Sequence, residues 1–354
     1  MTRDLTGDGV DALARWLSPH LGGGDVRVAL DGRPGSGFSA ETVLLRATTA
    51  DTEHRLVLRR ETADPAMYPA QAANDGPEIA IQYRTMRGLA VAADIPVAPL
   101  IGYEDDPAVL GSAFFVMGFV DGWVPVENPP YTAAGPFLDA APADRRTMIA
   151  NGLDVLARLH RADRHAAGLD WLVPPGEKPT AARQFAIWSA YADRELDGRD
   201  HPVLDRARTW LHANLPEGGE PGIAWGDARP GNIIWRGIEP VCVTDFEAVA
   251  IAPPELDLGW WLFFDRTMHE ALGIARLDGE PDRAEQRARY AAAAGRDPGD
   301  TTPFEVLAGF RYAAIVVRAM NRRVARGEIP AAQTIWRDNP PATALRQLLD
   351  EIGA

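Results

Sequence analysis

The chain of 354 residues has a single cysteine, Cys242. That excludes an internal disulfide framework and any cysteine-based metal cluster. Cys242 lies in the apolar run Val241-Cys-Val, where a buried, inert thiol is expected. Long hydrophobic runs are also missing. The longest, Trp260 to Phe264 and Ala313 to Val317, fall far short of the ~20 residues needed to span a bilayer. The start, Met1-Thr-Arg-Asp-Leu, has no apolar stretch behind a basic one, so no secretory signal is expected and a cytoplasmic location is. Basic charge is in deficit, with 36 Lys and Arg against 50 Asp and Glu and a net charge of −14. Such a field repels a nucleic-acid duplex or an anionic membrane, and no concentrated basic stripe overrides it. Neither is expected as a partner. Internal repeats and low-complexity tracts are absent, and nothing signals an oligomeric state.

With 46% hydrophobic and 24% charged residues, the composition is that of an ordinary globular protein. The first third reads mainly as strands. Arg27-Val-Ala-Leu, Thr42-Val-Leu-Leu-Arg and Arg55-Leu-Val-Leu-Arg-Arg are short β-rich runs bounded by turn formers, as in an antiparallel meander. A polar segment, Glu61 to Gly76, leads into a helical pattern from Pro77 to Ala92, and the apolar run from Ala113 ends at Gly118. Beyond Gly118 a Pro-rich connection, Pro125 to Pro142, precedes helical patterns at 144–161, 181–195, 202–215, 256–274 and 303–326. A β-like island at 223–249 interrupts them. An α+β architecture follows, with a small antiparallel β lobe over residues 1–118 and a larger helical lobe over 119–354.

The chemistry concentrates in Ala224-Trp-Gly-Asp-Ala-Arg-Pro-Gly-Asn-Ile-Ile-Trp and Val241-Cys-Val-Thr-Asp-Phe-Glu. Asn232-Ile-Ile-Trp and Val241-Cys-Val-Thr read as strands around the turn Arg236-Gly-Ile-Glu-Pro. If they pair, Asn232 and Asp245 fall side by side at the open end, with Asp227 on the loop just before them. Two carboxylates and an amide oxygen then converge on one point. Phosphoryl transfer uses that set: hard oxygen ligands hold Mg²⁺ against the β- and γ-phosphates, and a separate carboxylate orients the attacking hydroxyl. Asn232 and Asp245 are therefore the expected metal ligands and Asp227 the catalytic residue.

These residues resemble the catalytic segment of the aminoglycoside phosphotransferase and choline kinase-like family, His-Gly-Asp-x-x-x-x-Asn followed by Asp-Trp/Phe-Glu. The likeness is greatest to the branch linked to acyl-CoA dehydrogenases. It extends to Pro254-Glu-Leu-Asp-Leu-Gly-Trp, to Phe114-Phe-Val-Met-Gly-Phe-Val-Asp-Gly and to Leu156-Ala-Arg-Leu-His, and so covers about residues 30–325. The resemblance implies a two-lobed protein-kinase-like fold that moves the γ-phosphate of Mg-ATP to a hydroxyl on a small molecule. It makes Gly35, Ser36, Gly37, Phe38 and Ser39 the loop over the phosphates, and Met117, Gly118 and Phe119 the hinge that meets adenine. Asp257 matches an aspartate that steadies the catalytic loop.

Two departures stand out. The phosphate-binding lysine is replaced by arginine, best matched by Arg59, and a guanidinium keeps the charge. The helix glutamate that orients this cation aligns with Gln82, which cannot form an ion pair. Glu78, one turn earlier on the same helical face, is the expected partner of Arg59, with Gln82 as a hydrogen-bonding neighbour. Because of Gln82, the alternative is a catalytically inactive nucleotide-binding protein of the same fold, acting as a sensor or interaction module. A metal-dependent hydrolase using the same carboxylates is a further alternative, but the sequence has no His cluster at ligand spacing to support it. Glu247 is expected to assist the metal, contact substrate or bond to the catalytic loop. His160, Asp163 and His165 read as capping and surface residues. Trp188, Tyr191, Asp193, Asp265, His269, Glu270, Arg311 and Tyr312 lie on helices expected to face the acceptor pocket.

Overall fold

The computed structural model describes residues 5–32, 40–64, 66–72, 76–92 and 94–354. Helix α1 (Asp8–His20) precedes strands β1 (Arg27–Gly32), β2 (Glu41–Thr48) and β3 (Glu53–Arg60). Helix α2 (Glu78–Ala92), strand β4 (Leu100–Glu104), the single turn α3 (Pro107–Leu110) and strand β5 (Phe114–Gly118) follow. The strands form one antiparallel sheet in the order β1-β2-β3-β5-β4.

Side chains alternate across a strand, and this decides what covers each face. Val43, Leu45, Leu56, Leu58, Phe114 and Val116 pack with Leu13 and Leu17 of α1 on one face. On the other, Phe115 packs with Ile79, Met86 and Leu89 of α2. Arg59 pairs directly with Phe115 and shares that second face. Its neighbour Arg60 points the opposite way. It is buried there, donating to Glu41 Oε2 at 2.7 Å and to the Leu110 carbonyl at 3.2 Å. The two arginines thus lie on opposite faces of the sheet, and neither is solvated.

The helical part contains α4 (Pro136–Asp139), α5 (Pro142–Arg161), α6 (Ala181–Leu196) and α7 (Pro202–Asn214). Next come the short strands β6 (Gly222–Ala224), β7 (Ile233–Arg236), β8 (Glu239–Val243) and β9 (Ala250–Ala252). Helices α8 (Glu255–Arg266), α9 (Arg283–Ala294), α10 (Thr302–Ala325) and α11 (Pro340–Glu351) complete the chain. Every residue of α8 is buried, so it is the central helix, and α10 packs across it as well as against α6, α7 and α11. Strands β7 and β8 form the expected hairpin, with Ile233 opposite Val243. The architecture is α+β and two-lobed, of the protein-kinase-like kind. Among the described residues no helix is long and apolar enough to cross a membrane.

Candidate active site

The loop that carries Asp227 leaves β6 and turns at Gly226, whose φ is +89°. A Cβ there would lie 2.0 Å from the Ala248 carbonyl oxygen, so both conformation and space require glycine. Asp257, fully buried at the start of α8, accepts from the Trp225 N–H at 2.5 Å and the Gly226 N–H at 2.8 Å. His160 Nε2 lies 3.1 Å from the same carboxylate, and His160 Nδ1 lies 2.6 Å from the Tyr290 hydroxyl. His160 is thus buried inside this network and not on the surface. Asp163, by contrast, does cap the exposed loop, accepting from the backbone of His165 at 2.8 Å. On the other side of the turn, Arg311 donates to the Gly226 carbonyl at 2.7 Å while its guanidinium stacks between Trp188 and Trp260.

Removing Asp257 leaves two buried amides without an acceptor, each costing about 1–3 kcal/mol. Asp257→Ala is expected to lose about 3 kcal/mol of stability and most of its turnover. Asp257→Asn, which keeps one acceptor oxygen, should fall between it and wild type. Denaturant unfolding beside steady-state kinetics checks both.

Beyond the turn, Pro230–Asn232 form a single 3-10 turn that feeds β7. Asn232 spends its side-chain nitrogen on Asp227, donating to the backbone oxygen at 2.9 Å and to Oδ2 at 2.8 Å. The backbone N–H and hydroxyl of Thr244 close the hairpin on the Asn232 carbonyl at 2.9 and 3.0 Å, which brings Asp245 alongside. Asp245 has φ +63°, a left-handed conformation uncommon for a residue with a side chain. Such conformations cluster where a side chain must be held in one direction. The expected convergence of Asp227, Asn232 and Asp245 is therefore present. Burial, and next the Asp245 charge, push the Asp227 carboxyl up to about 7, against the donors Asn232 and Trp260, which pull it down.

The donor set suits a hard divalent cation. With its nitrogen committed to Asp227, Asn232 keeps Oδ1 as its remaining amide oxygen, without a hydrogen bond among the described residues, and the Asp245 side chain is 34% exposed. Among the described residues, one group of three classical ligand side chains comes close together: Asp265, His269 and Glu280. Its atoms are already used. Arg276 and Gln286 donate to Asp265, His269 bonds to Glu280, and the Leu277 N–H takes the other Glu280 oxygen.

The cation clamp differs from expectation. Arg59 Nη2 donates to Glu247 Oε1 at 2.6 Å and stands 3.8 Å from Asp245 Oδ1. Gln82 Nε2 donates to the same Glu247 oxygen at 2.9 Å. The counter-charge therefore comes from the Asp-Phe-Glu motif, and the neutral Gln82 suits a carboxylate already paired with arginine. Glu78 does not pair with Arg59. Its Oε1 accepts from the Met67 N–H at 2.9 Å and lies 3.5 Å from the Tyr68 nitrogen. In the segment expected to be the hinge, the N–H groups of Gly118 and Phe119 already donate to Pro99 and Arg55 at 2.7 and 2.9 Å, while Met117 pairs with Val57 in the sheet. The loop Gly35, Ser36, Gly37, Phe38 and Ser39 lies outside the described residues.

Three contacts to Asp227 were not anticipated. Trp260 Nε1 donates to Oδ1 at 2.9 Å, Arg229 Nε donates to Oδ1 at 3.0 Å, and the Tyr68 hydroxyl lies 3.5 Å from Oδ2. Trp260 follows Asp257 by three positions on α8, so helical spacing could have placed it. Tyr68 has no such signal, because it comes from the distant connection between β3 and α2. Trp188 and Tyr312 pack around this site, whereas Asp193 and Glu270 pair with Arg208 and Arg283 at the surface.

The kinase-like fold thus brings two carboxylates and an amide to one place. The family described as the phosphotransferase enzyme family matches residues 32–304, and the chain belongs to it. Similar curated proteins include IBR3, named a probable acyl-CoA dehydrogenase, of Arabidopsis thaliana, with 25% identity over 64% of this chain and 27% of that protein. Acyl-CoA dehydrogenase family member 11 of Gallus gallus is 29% identical over 51% of this chain and 22% of its own length. The chain thus spans about a quarter of these relatives. Among solved structures, a Ralstonia eutropha protein assigned as an aminoglycoside phosphotransferase has a TM-score of 0.72 at 24% identity, covering 96% of this chain and 98% of that one. A thermostable mutant of aminoglycoside phosphotransferase APH(4)-Ia, in ternary complex with ADP and hygromycin B, has a TM-score of 0.57 at 12% identity, covering 95% and 98%.

Proposed function

We propose that this phosphotransferase moves the γ-phosphate of ATP to a hydroxyl group of a small molecule, with Asp227 as catalytic base. The observation that carries the reading is Asp227 itself. It is buried and oriented by Trp260, Arg229 and Asn232, and it stands beside the amide oxygen of Asn232 and the carboxylate of Asp245. The acceptor hydroxyl gives its proton to Asp227 as its oxygen bonds to the γ-phosphorus. The bond from that phosphorus to the β,γ-bridging oxygen breaks, and ADP leaves. Asn232 Oδ1 and Asp245 would hold Mg²⁺, which when bound neutralises charge on the β- and γ-phosphates. Arg59, braced by Glu247, would reach the α- and β-phosphates, the Gly35–Ser39 loop would cover them, and Met117 to Phe119 would border the adenine. The neighbour with ADP and hygromycin B supports a nucleotide beside a small-molecule acceptor in this fold. Gln82 no longer favours an inactive protein, because Glu247 supplies the missing charge.

The test is incubation with ATP labelled at the γ-phosphorus, Mg²⁺ and a panel of hydroxylated metabolites. Label on an acceptor is the expected result. A protein that binds ATP and labels nothing would be the inactive form of this fold. The clamp gives a second check. Arg59→Ala should weaken ATP binding by roughly tenfold or more, as loss of a charge-assisted hydrogen bond does. Glu247→Gln should weaken it less, and Glu78→Gln should leave ATP affinity unchanged in calorimetric titration.

A further inference from the structure

The connection between β3 and α2 crosses from the sheet to the helices. At its start the Glu61 N–H donates to the Ala113 carbonyl at 2.9 Å, on the sheet side. Asp64 then pairs with Arg322 at 3.0 Å, and the Tyr191 hydroxyl donates to the Met67 carbonyl at 2.7 Å. Gln184 of α6 donates to Gln71 Oε1 at 2.6 Å. This strap therefore docks on α6 and α10 while remaining rooted in the sheet. Glu78, the first residue of α2, holds its middle through the Met67 N–H. Tyr68, next in sequence, packs edge-on to Trp188 at 6.4 Å and directs its hydroxyl at Asp227.

A carboxylate oxygen offers two in-plane lone pairs. Oδ1 of Asp227 uses both, on Trp260 and Arg229. Oδ2 uses one on Asn232 at 2.8 Å, and the Tyr68 hydroxyl faces the other from 3.5 Å, the outer limit of a hydrogen bond. An incoming alcohol can therefore deliver its proton only where Tyr68 stands. The contact at that place is weak enough to be displaced.

We propose that Tyr68 holds the seat of the acceptor hydroxyl, excluding water from Asp227 until an acceptor displaces it, and that Glu78 sets its depth through the strap. This rests on the phosphotransfer reading, and it makes Tyr68 a specificity-determining residue that favours an alcohol over water. With water as the acceptor, the water oxygen bonds to the γ-phosphorus, its proton passes to Asp227, and the bond to the β,γ-bridging oxygen breaks to release ADP and phosphate.

The experiment measures ATP hydrolysis without any acceptor, together with amide hydrogen exchange. Tyr68→Phe keeps the ring and removes the hydroxyl. Its hydrolysis rate should rise about three- to tenfold with the KM for ATP unchanged. Glu78→Ala should raise hydrolysis in the same way and speed exchange at the Met67 amide by about tenfold or more, whereas Glu78→Gln, which keeps an acceptor oxygen, should stay near wild type. A Tyr68→Phe protein that binds ATP and hydrolyses it no faster than wild type overturns the seat. A Glu78→Ala protein with unchanged Met67 exchange overturns the anchor, and if that variant does not fold, Tyr68→Phe decides. Failure of wild type to bind Mg-ATP in a thermal-shift titration sinks the phosphotransfer reading instead, and exchange in the strap still tests the anchor.

Discussion

Replacing Asp245 by alanine is expected to abolish Mg²⁺-dependent binding of ATP. In the wild type, saturating ATP with Mg²⁺ should raise the melting temperature, since ligand at a hundred times its Kd stabilises by about 2.7 kcal/mol. Asp245→Ala should show no such rise. The carboxylate is the one formal charge in the proposed cation site, because the other ligand is the neutral amide oxygen of Asn232. Without it, β- and γ-phosphate charge meets Asp227 and Glu247 with too little compensation. Asn232→Ala should weaken ATP less, although it also strips a hydrogen bond from Asp227. The backbone needs its own control. Asp245 sits at φ +63°, where alanine is strained and asparagine is better tolerated. Asp245→Asn keeps the conformation and removes only the charge, so it should lose the thermal shift almost as fully. An equal shift in wild type, Asp245→Asn and Asp245→Ala would exclude Asp245 as a metal ligand.

Much of this site was legible in the sequence because its residues are close along the chain. Asp227, Asn232 and Asp245 sit on one loop and one hairpin, and a hairpin's register follows from its turn, here at Gly237 with φ +61°. Asp257 was legible through its motif, and the structure puts it on the two amides that shape the loop. What failed was pairing across the fold. Helical spacing made Glu78 an attractive partner for Arg59, since it lies one turn from Gln82. Glu78 is instead turned toward the Met67–Tyr68 backbone, while Glu247 arrives from the opposite lobe. No spacing rule links residues 188 positions apart. His160 was misplaced for a similar reason, because its partner Asp257 is 97 residues away.

Elements escaped notice where their pattern was faint. Helix α9 buries only Gln286 and Tyr290, so hydrophobic periodicity barely marks it, although Asp282 and Glu285 form a capping box at its start. Strand β4 is short and broken by Gly102, where a Cβ would strike His20 and Trp16 of α1. Helix α1 carries Pro19 in its last turn, which obscured a spacing, Leu13 and Leu17, that does face the sheet.

The remaining large effect falls on Asp227 itself. Asp227→Asn is expected to lower turnover by roughly a thousandfold, within the 10²–10⁴ range that a positioned base contributes. The KM for ATP should move little, since the carboxylate faces the acceptor and not the nucleotide. Geometry is nearly isosteric, but not neutral. Oδ1 receives Trp260 and Arg229 and Oδ2 receives Asn232, so whichever oxygen becomes an NH₂ group meets a donor. A modest loss of stability should accompany the loss of rate. The pH dependence separates the two effects. Only the ionised carboxylate can take a proton, and burial beside Asp245 puts its transition at about 7 in the free enzyme. Wild-type kcat/KM should therefore fall about tenfold per pH unit below that point and level off above it. The residual activity of Asp227→Asn should lack this limb, because the amide does not titrate. A variant that keeps the limb, or that turns over at near wild-type rate, would show that another group accepts the proton.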